Sequence, residues 1–109
     1  MTDFSAFAVR ACLKQVSGAA PEQFDGVYIG DLLSRAMSHV ETGCLWITIM
    51  NNANVIAVAK LTDPSAVILA EGVTLIPEAL AQAQANDIAV FTAECTAYEL
   101  AKYAAEAEG

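Results

Sequence analysis

The sequence predicts an α/β fold, a three-layer sandwich on a largely parallel sheet of four to five strands, and three observations lead there. From Val27 onward, short runs of β-formers alternate with stretches of helical spacing, the order in which strands and crossover helices follow one another. The longest apolar runs, residues 44–47, 55–59 and 66–70, suit strands or helices buried on most of their surface. Hydrophobic residues make up 56% of the 109 and charged residues 17%, enough for a single domain to bury a core without metal or disulfide.

The same composition excludes classes of function. Lys and Arg number 5 against 13 Asp and Glu, a net charge of −8. A chain this rich in apolar residues is not a disordered one, and it lacks the basic face that nucleic-acid phosphates need. The apolar runs fall far below the ~20 residues of a membrane helix. The start, MTDFSAFAVRACLKQ, has no basic cluster before an apolar run, so it does not read as a leader and a cytoplasmic location is expected. Cys12, Cys44 and Cys95 are odd in number, widely spaced and outside any Cys-x-x-Cys pair. Reduced, buried thiols are expected rather than a disulfide framework or a zinc site.

Residues 4–16 read as a helix, with Phe4, Phe7, Ala8, Ala11 and Cys12 at helical spacing and Val9, Leu13 and Val16 widening the apolar face. Arg10 and Lys14 form an i, i+4 pair on its polar side, and Ser17-Gly18 supplies the stop with Pro21 just beyond. Val27-Tyr28-Ile29 is a short strand between Gly26 and Gly30. Asp31 is placed to cap a helix over 32–41 whose inner face is Leu32, Leu33, Ala36, Met37 and Val40, and Gly43 ends the connection. Residues 45–49, LWITI, form a strand rich in β-formers. The segment NNANVIAVAKL reads either as a loop and a strand or as an Asn-capped, mostly buried helix. The helix is favoured, because two apolar strands would otherwise follow one another with little turn chemistry between them. Asp63-Pro64 marks a turn, and residues 66–69 form a strand that Glu71-Gly72 ends. Pro77 opens a helix to about Ala85, with Glu78 favourably placed for the helix dipole, and Asn86-Asp87 breaks it. Residues 88–91 are the last strand and about 94–105 the last helix.

Catalytic signatures are missing from this pattern. There is no G-x-x-x-x-G-K-[ST] and no G-x-G-x-x-G. The one histidine, His39, falls in a helix's last turn, where the dipole favours a positive charge. Cys44, five residues on, leads into an apolar strand and reads as a buried structural thiol. Trp46 reads as core or interface packing. Most acids fit caps, turns or surface charge, so no residue demands an enzyme and no metal or cofactor is expected.

One stretch is more specific. VYIGDLLS at 27–34, LWITI at 45–49 and NVIAVA at 54–59 occur in an order and spacing that resembles the DRTGG domain family, over about residues 26–104. The whole chain, 1–109, then reads as a single stand-alone domain with an added N-terminal helix. The signature that names the family is degenerate: where Asp-Arg-x-x-Thr-Gly-Gly is expected, the chain has PEQFDGV at 21–27, and only Gly26 survives. The resemblance implies a fold akin to the N-terminal domain of HPr kinase/phosphorylase and of Mur ligases, without the kinase catalytic part. It also implies a regulatory or dimer-forming role, as in CBS-containing pyrophosphatases and phosphotransacetylases, or a link to hydrogenase or phosphotransfer regulation.

In a parallel α/β sheet, ligands favour the crevice outside the carboxyl ends of the strands. The residues expected there are Gly30, Asp31, Thr48, Asn51, Asn52, Asn54, Glu71 and Gly72. Asn side chains offer donors and acceptors to a base edge or polar metabolite, and the following helix start offers backbone N–H groups to a phosphate. The same Asn and Asp residues are also common caps and turn formers. The expected function is a non-catalytic regulatory module that binds a small ligand, with an adenine nucleotide as one class. The alternative is a protein-interaction module, most simply a homodimer, because the apolar content is high for so small a chain.

Overall fold

The computed structural model describes residues Met1–Gly109. In chain order the elements are β1 (Thr2–Asp3), α1 (Phe4–Ala11), β2 (Lys14–Ser17), β3 (Gln23–Phe24), β4 (Val27–Ile29), α2 (Leu33–His39), β5 (Leu45–Thr48), α3 (Ala53–Thr62), β6 (Ala66–Leu69), α4 (Pro77–Ala85), β7 (Val90–Thr92) and α5 (Ala97–Glu108). Five strands form one sheet in the order β2-β7-β6-β5-β4. Strands β4 to β7 are parallel, in register at Val27↔Leu45, Leu45↔Ala66 and Val67↔Val90. β2 runs antiparallel to β7 at one edge, and β1 and β3 pair as a small antiparallel ribbon. No helix is long and apolar enough to cross a membrane.

The strand order explains the layers. From β4 to β7 each new strand is added on the same side of the last, and crossovers of one hand then put α2, α3 and α4 on one face. They bury Ala36, Val55, Ile56, Ala79 and Ala83 against Trp46, Val67, Leu69 and Val90. The opposite face is left to α1 and α5, which pack Phe4, Phe7, Leu100 and Ala104 with Phe24 against Leu45, Ile47, Ile68 and Phe91. β5 and β6 are buried at every position, as central strands covered on both faces must be.

The segment at 50–62 is the Asn-capped helix, with the Asn52 carboxamide oxygen accepting from the N–H groups of Asn54 and Val55. Three expectations are corrected. The first helix ends at Ala11 rather than at residue 16: Cys12 turns left-handed (φ 53°) and its N–H bonds back to Ala8 and Val9. The chain then becomes β2, because the free edge of β7 offers a backbone ladder that outweighs the helical spacing of Leu13 and Val16. Lys14 is thereby removed from Arg10, which lies over the Tyr103 ring and pairs with Glu106 at 3.6 Å. Second, Asp31 does not cap α2. The cap position is Leu32, with no side-chain bond, and the helix is shorter than 32–41. Third, the last helix starts at Ala97 behind a Thr96–Glu99 capping box, and the last strand is Val90–Thr92. The thiols also divide: Cys44 is buried as expected, Cys95 is half-buried, and Cys12 is exposed, since the helix end that carries it faces solvent.

Candidate functional site at the carboxyl rim of the sheet

The carboxyl ends of four parallel strands lie along one rim, and side chains tie the ends of β4 and β5 together. One Asp31 carboxylate oxygen accepts from the Thr48 hydroxyl at 2.7 Å and from the Ile49 N–H at 2.9 Å. The hydroxyl of Thr48, a residue only 2% exposed, in turn accepts from the Met50 N–H at 3.1 Å. The Trp46 indole N–H donates to the Gly30 carbonyl at 3.0 Å, and the Gly30 N–H donates to Ile47. Tyr28 folds over Gly30, where a Cβ would stand 2.8 Å from its hydroxyl oxygen, so a larger residue there would have to push the Tyr28 ring aside. The sequence places Asp31 correctly at the rim but misreads its task, because its partners lie 17 and 18 residues away.

The remaining candidates divide. The Asn51 side-chain NH2 donates to the Thr74 carbonyl at 2.8 Å, and the Asn51 backbone carbonyl accepts from the Ile76 N–H. Asn52 caps α3 with its oxygen, which occupies the N–H groups of Asn54 and Val55 that were expected to be open to a phosphate. Asn54 does not join them. It lines a separate groove of about 350 Å³ between α3 and α4, with Lys60, Gln82 and Asn86. Glu71 and Gly72 form the turn after β6, both at positive φ, and their N–H groups donate to the carbonyls of Cys95 and Ala93. The Glu94 carboxylate lies against Gly72, 2.8 Å from where a Cβ would be.

No crevice opens at this rim: the four concavities of the surface lie elsewhere. The cause is the winding. A crevice of the expected kind forms where strand order reverses and neighbouring helices part to opposite faces, and from β4 to β7 the order never reverses. The rim instead presents a shallow surface. One oxygen of Asp31, the side-chain oxygen of Asn51 and the side-chain NH2 of Asn52 take no hydrogen bond within the chain. Around them stand Ile29, Leu32, Ile49 and Ile76, exposed by 46%, 60%, 44% and 40%.

A second feature went unread in the sequence. Tyr28 and His39 stack, ring centres 5.8 Å apart and planes 21° apart, because the β4–α2 crossover folds the end of α2 back over the strand. They line a cleft of about 230 Å³ with Asp25, Glu41 and Cys44, whose thiol is pushed up by burial. His39 sits exposed at the end of α2, as expected, with Nδ1 at 2.9 Å from the Arg35 carbonyl. No group of three or more His, Cys, Asp or Glu side chains is arranged to hold a metal ion.

This arrangement is that of a DRTGG-like fold. The fold is similar to that of a crystal structure of the CBS and DRTGG domains of the regulatory region of Clostridium perfringens pyrophosphatase, complexed with its activator diadenosine tetraphosphate. The TM-score is 0.75 at 15% identity, over 97% of this chain and 47% of the other, so this chain spans about half the length of that structure. At this identity the likeness is one of fold, and it agrees with the resemblance carried by the VYIGDLLS, LWITI and NVIAVA blocks. No protein-family model matches the chain, and no curated protein does.

Proposed function

We propose that this chain is a non-catalytic regulatory module that takes a small polar ligand at the carboxyl rim, with adenine nucleotides as the class to test first. The observation that carries this reading is the set of unpaired polar atoms on Asp31, Asn51 and Asn52. Each belongs to a side chain whose other polar atom is already fixed, so the free atom is held in place for a ligand. Two acceptors and a donor suit the edge of a purine or the hydroxyls of a ribose. Asp31, Glu71 and Glu94 make the rim acidic on a chain of net charge −8, so the nucleoside end faces the rim and the phosphates face solvent. The likeness to a regulatory region bound to a dinucleoside polyphosphate supports the class of ligand.

The test is a thermal-shift series with adenosine, AMP, ATP and diadenosine tetraphosphate. A ligand at ~100 times its dissociation constant adds ~2.7 kcal/mol, which moves the midpoint of a domain this small by on the order of 10 °C or more. Asn51→Ala should abolish the shift and Asn54→Ala should keep it. Equal shifts in both variants, or none in the wild type, defeat the assignment.

The exposed Ile29, Leu32, Ile49 and Ile76 favour a second reading, in which this rim is the contact surface of a homodimer. Light scattering after size exclusion should then give twice the chain mass, and Leu32→Lys with Ile49→Lys should return it to a monomer. A wild-type monomer at high concentration removes this reading.

A further inference from the structure

We propose that the groove between α3 and α4 is a second ligand site and that it takes a polyhydroxylated monocarboxylate, a sugar acid. The two helices lie side by side on one face of the sheet. Ala53, Ala57 and Lys60 recur at helical spacing on one side of α3, and Gln82 and the capping residue Asn86 stand one turn apart at the end of α4. Methyl side chains at 53 and 57, where longer ones would close the gap, leave a trough of about 350 Å³ over the buried Ile56. That volume falls within the ~300–1,000 Å³ of small-molecule sites. Its charge sets this groove apart. On a chain with 13 acids and 5 bases, each of the other three concavities holds a carboxylate: Glu106 in one, Asp25 and Glu41 in another, Asp63 and Asp87 in the third. The α3–α4 groove holds a lysine and no carboxylate. Lys60 is free of ion pairs, since the one in the chain joins Arg10 to Glu106. The α3 dipole accounts for a lysine in the last turn, but not for the amides gathered around it.

Those amides are unoccupied. The side chains of Asn54 and Gln82 take no hydrogen bond within the chain, and Asn86 commits only its NH2, to the Gln82 carbonyl at 2.9 Å. Its carboxamide oxygen stays an open acceptor. The groove therefore offers one ammonium, two complete carboxamides and one further acceptor. One ammonium balances one negative charge, and on a chain of net charge −8 a second charge on the ligand would find no partner. Without a carboxylate, the groove has no counter-charge for a ligand ammonium, which favours a hydroxy acid over an amino acid. A carboxamide both gives and takes hydrogen bonds, as does each hydroxyl of a sugar. The ligand carboxylate thus sits at Lys60 and its hydroxyls along Asn54, Gln82 and Asn86. The rim ligand proposed above uses Asp31, Asn51 and Asn52, none of which lines this groove, so the two sites stand or fall separately.

The test titrates the isotope-labelled full chain with gluconate, glucuronate and glycerate and follows the side-chain NH2 signals of Asn54, Gln82 and Asn86 by NMR. At least one of these acids should move the Asn54 and Gln82 signals to saturation. For that acid, Lys60→Gln should raise the dissociation constant about tenfold, the loss expected for a hydrogen bond to a charged group. The exposed positions of Lys60, Asn54 and Gln82 let the variants fold, which unchanged backbone signals away from the groove will verify. Glucitol, with the hydroxyls of gluconate and no carboxylate, should bind about as weakly to the wild type as gluconate does to Lys60→Gln. Added salt should weaken the acid and leave glucitol unaffected. No saturable shift with any of the three acids, equal affinity for glucitol, or an affinity unchanged in Lys60→Gln would overturn the site. Tighter binding of inorganic phosphate at the same signals would overturn the sugar-acid class. Loss of binding in Asn51→Ala would move the ligand to the rim and overturn the groove.

Discussion

The two rims of the sheet are fastened by different means. At the amino rim, backbone joins backbone. The Asp25 N–H donates to Gly43, the Gly43 N–H to Asp63 and the Ser65 N–H to Cys44, with the Ser65 hydroxyl adding bonds to Gly43 and Gln23. Gly18 lies so close to Ala89 that a Cβ would stand 2.6 Å from its nitrogen. At the carboxyl rim the fastening is by side chains, through Asp31, Thr48, Asn51 and the Trp46 indole. A side chain can hold a loop with one polar atom and keep another free, which a backbone N–H cannot do. The rim secured by side chains is therefore the one with side-chain polar atoms left unpaired.

Substitutions at each rim break this contrast by different amounts. Trp46→Ala should have the largest effect, about 3–5 kcal/mol in denaturant unfolding, because it empties a fully buried site and cuts the tie to Gly30. Gly18→Ala should cost about 3 kcal/mol, from positive φ and a backbone collision together. Gly26→Ala, equally left-handed but with nothing within 4 Å, should cost only about 1–2 kcal/mol in the same assay. If the two glycines cost the same, close packing is not what distinguishes the amino rim at Gly18. Asp31→Ala should cost about 1–3 kcal/mol by leaving the buried Thr48 hydroxyl without its acceptor. Paired with Thr48→Val, the two losses should fall short of additivity, since they remove one interaction.

The smallest effect is electrostatic. Burial raises the Cys44 thiol above its ordinary 9.0. As pH climbs past that value the unfolded chain loses this proton first, so the contribution is intact below pH 9.0 and is lost as pH rises through the folded value. Cys44→Ser should decline less steeply than the wild type in alkaline unfolding series. Parallel curves would mean that the thiol is not held protonated by the fold.

The parallel core was legible because its signals are local. Leu45–Thr48 and Ala66–Leu69 are continuous apolar runs, Asn52 is a capping residue in a capping position, and Pro77 opens a helix as proline does. What failed depends on distant partners. Lys14–Ser17 keeps helical spacing and becomes a strand only because β7 has an open edge more than seventy residues on. The β1–β3 ribbon has two residues a side, too few for any periodicity. Asp31 has the residue type of a cap and acts instead on a strand its own segment does not contain. The missing crevice follows from the direction of winding, which no local pattern encodes.

That winding also sets an order in time. Each step from β4 to β7 joins a strand to the next one along the chain, so these pairings close short loops and form early. The β2–β7 pairing must bring Lys14 to Thr92 and waits for nearly the whole chain. This edge is the last part of the sheet to assemble and the first to open, so the amides of Lys14–Ser17 should exchange through local openings while those of Leu45–Thr48 exchange only on global unfolding.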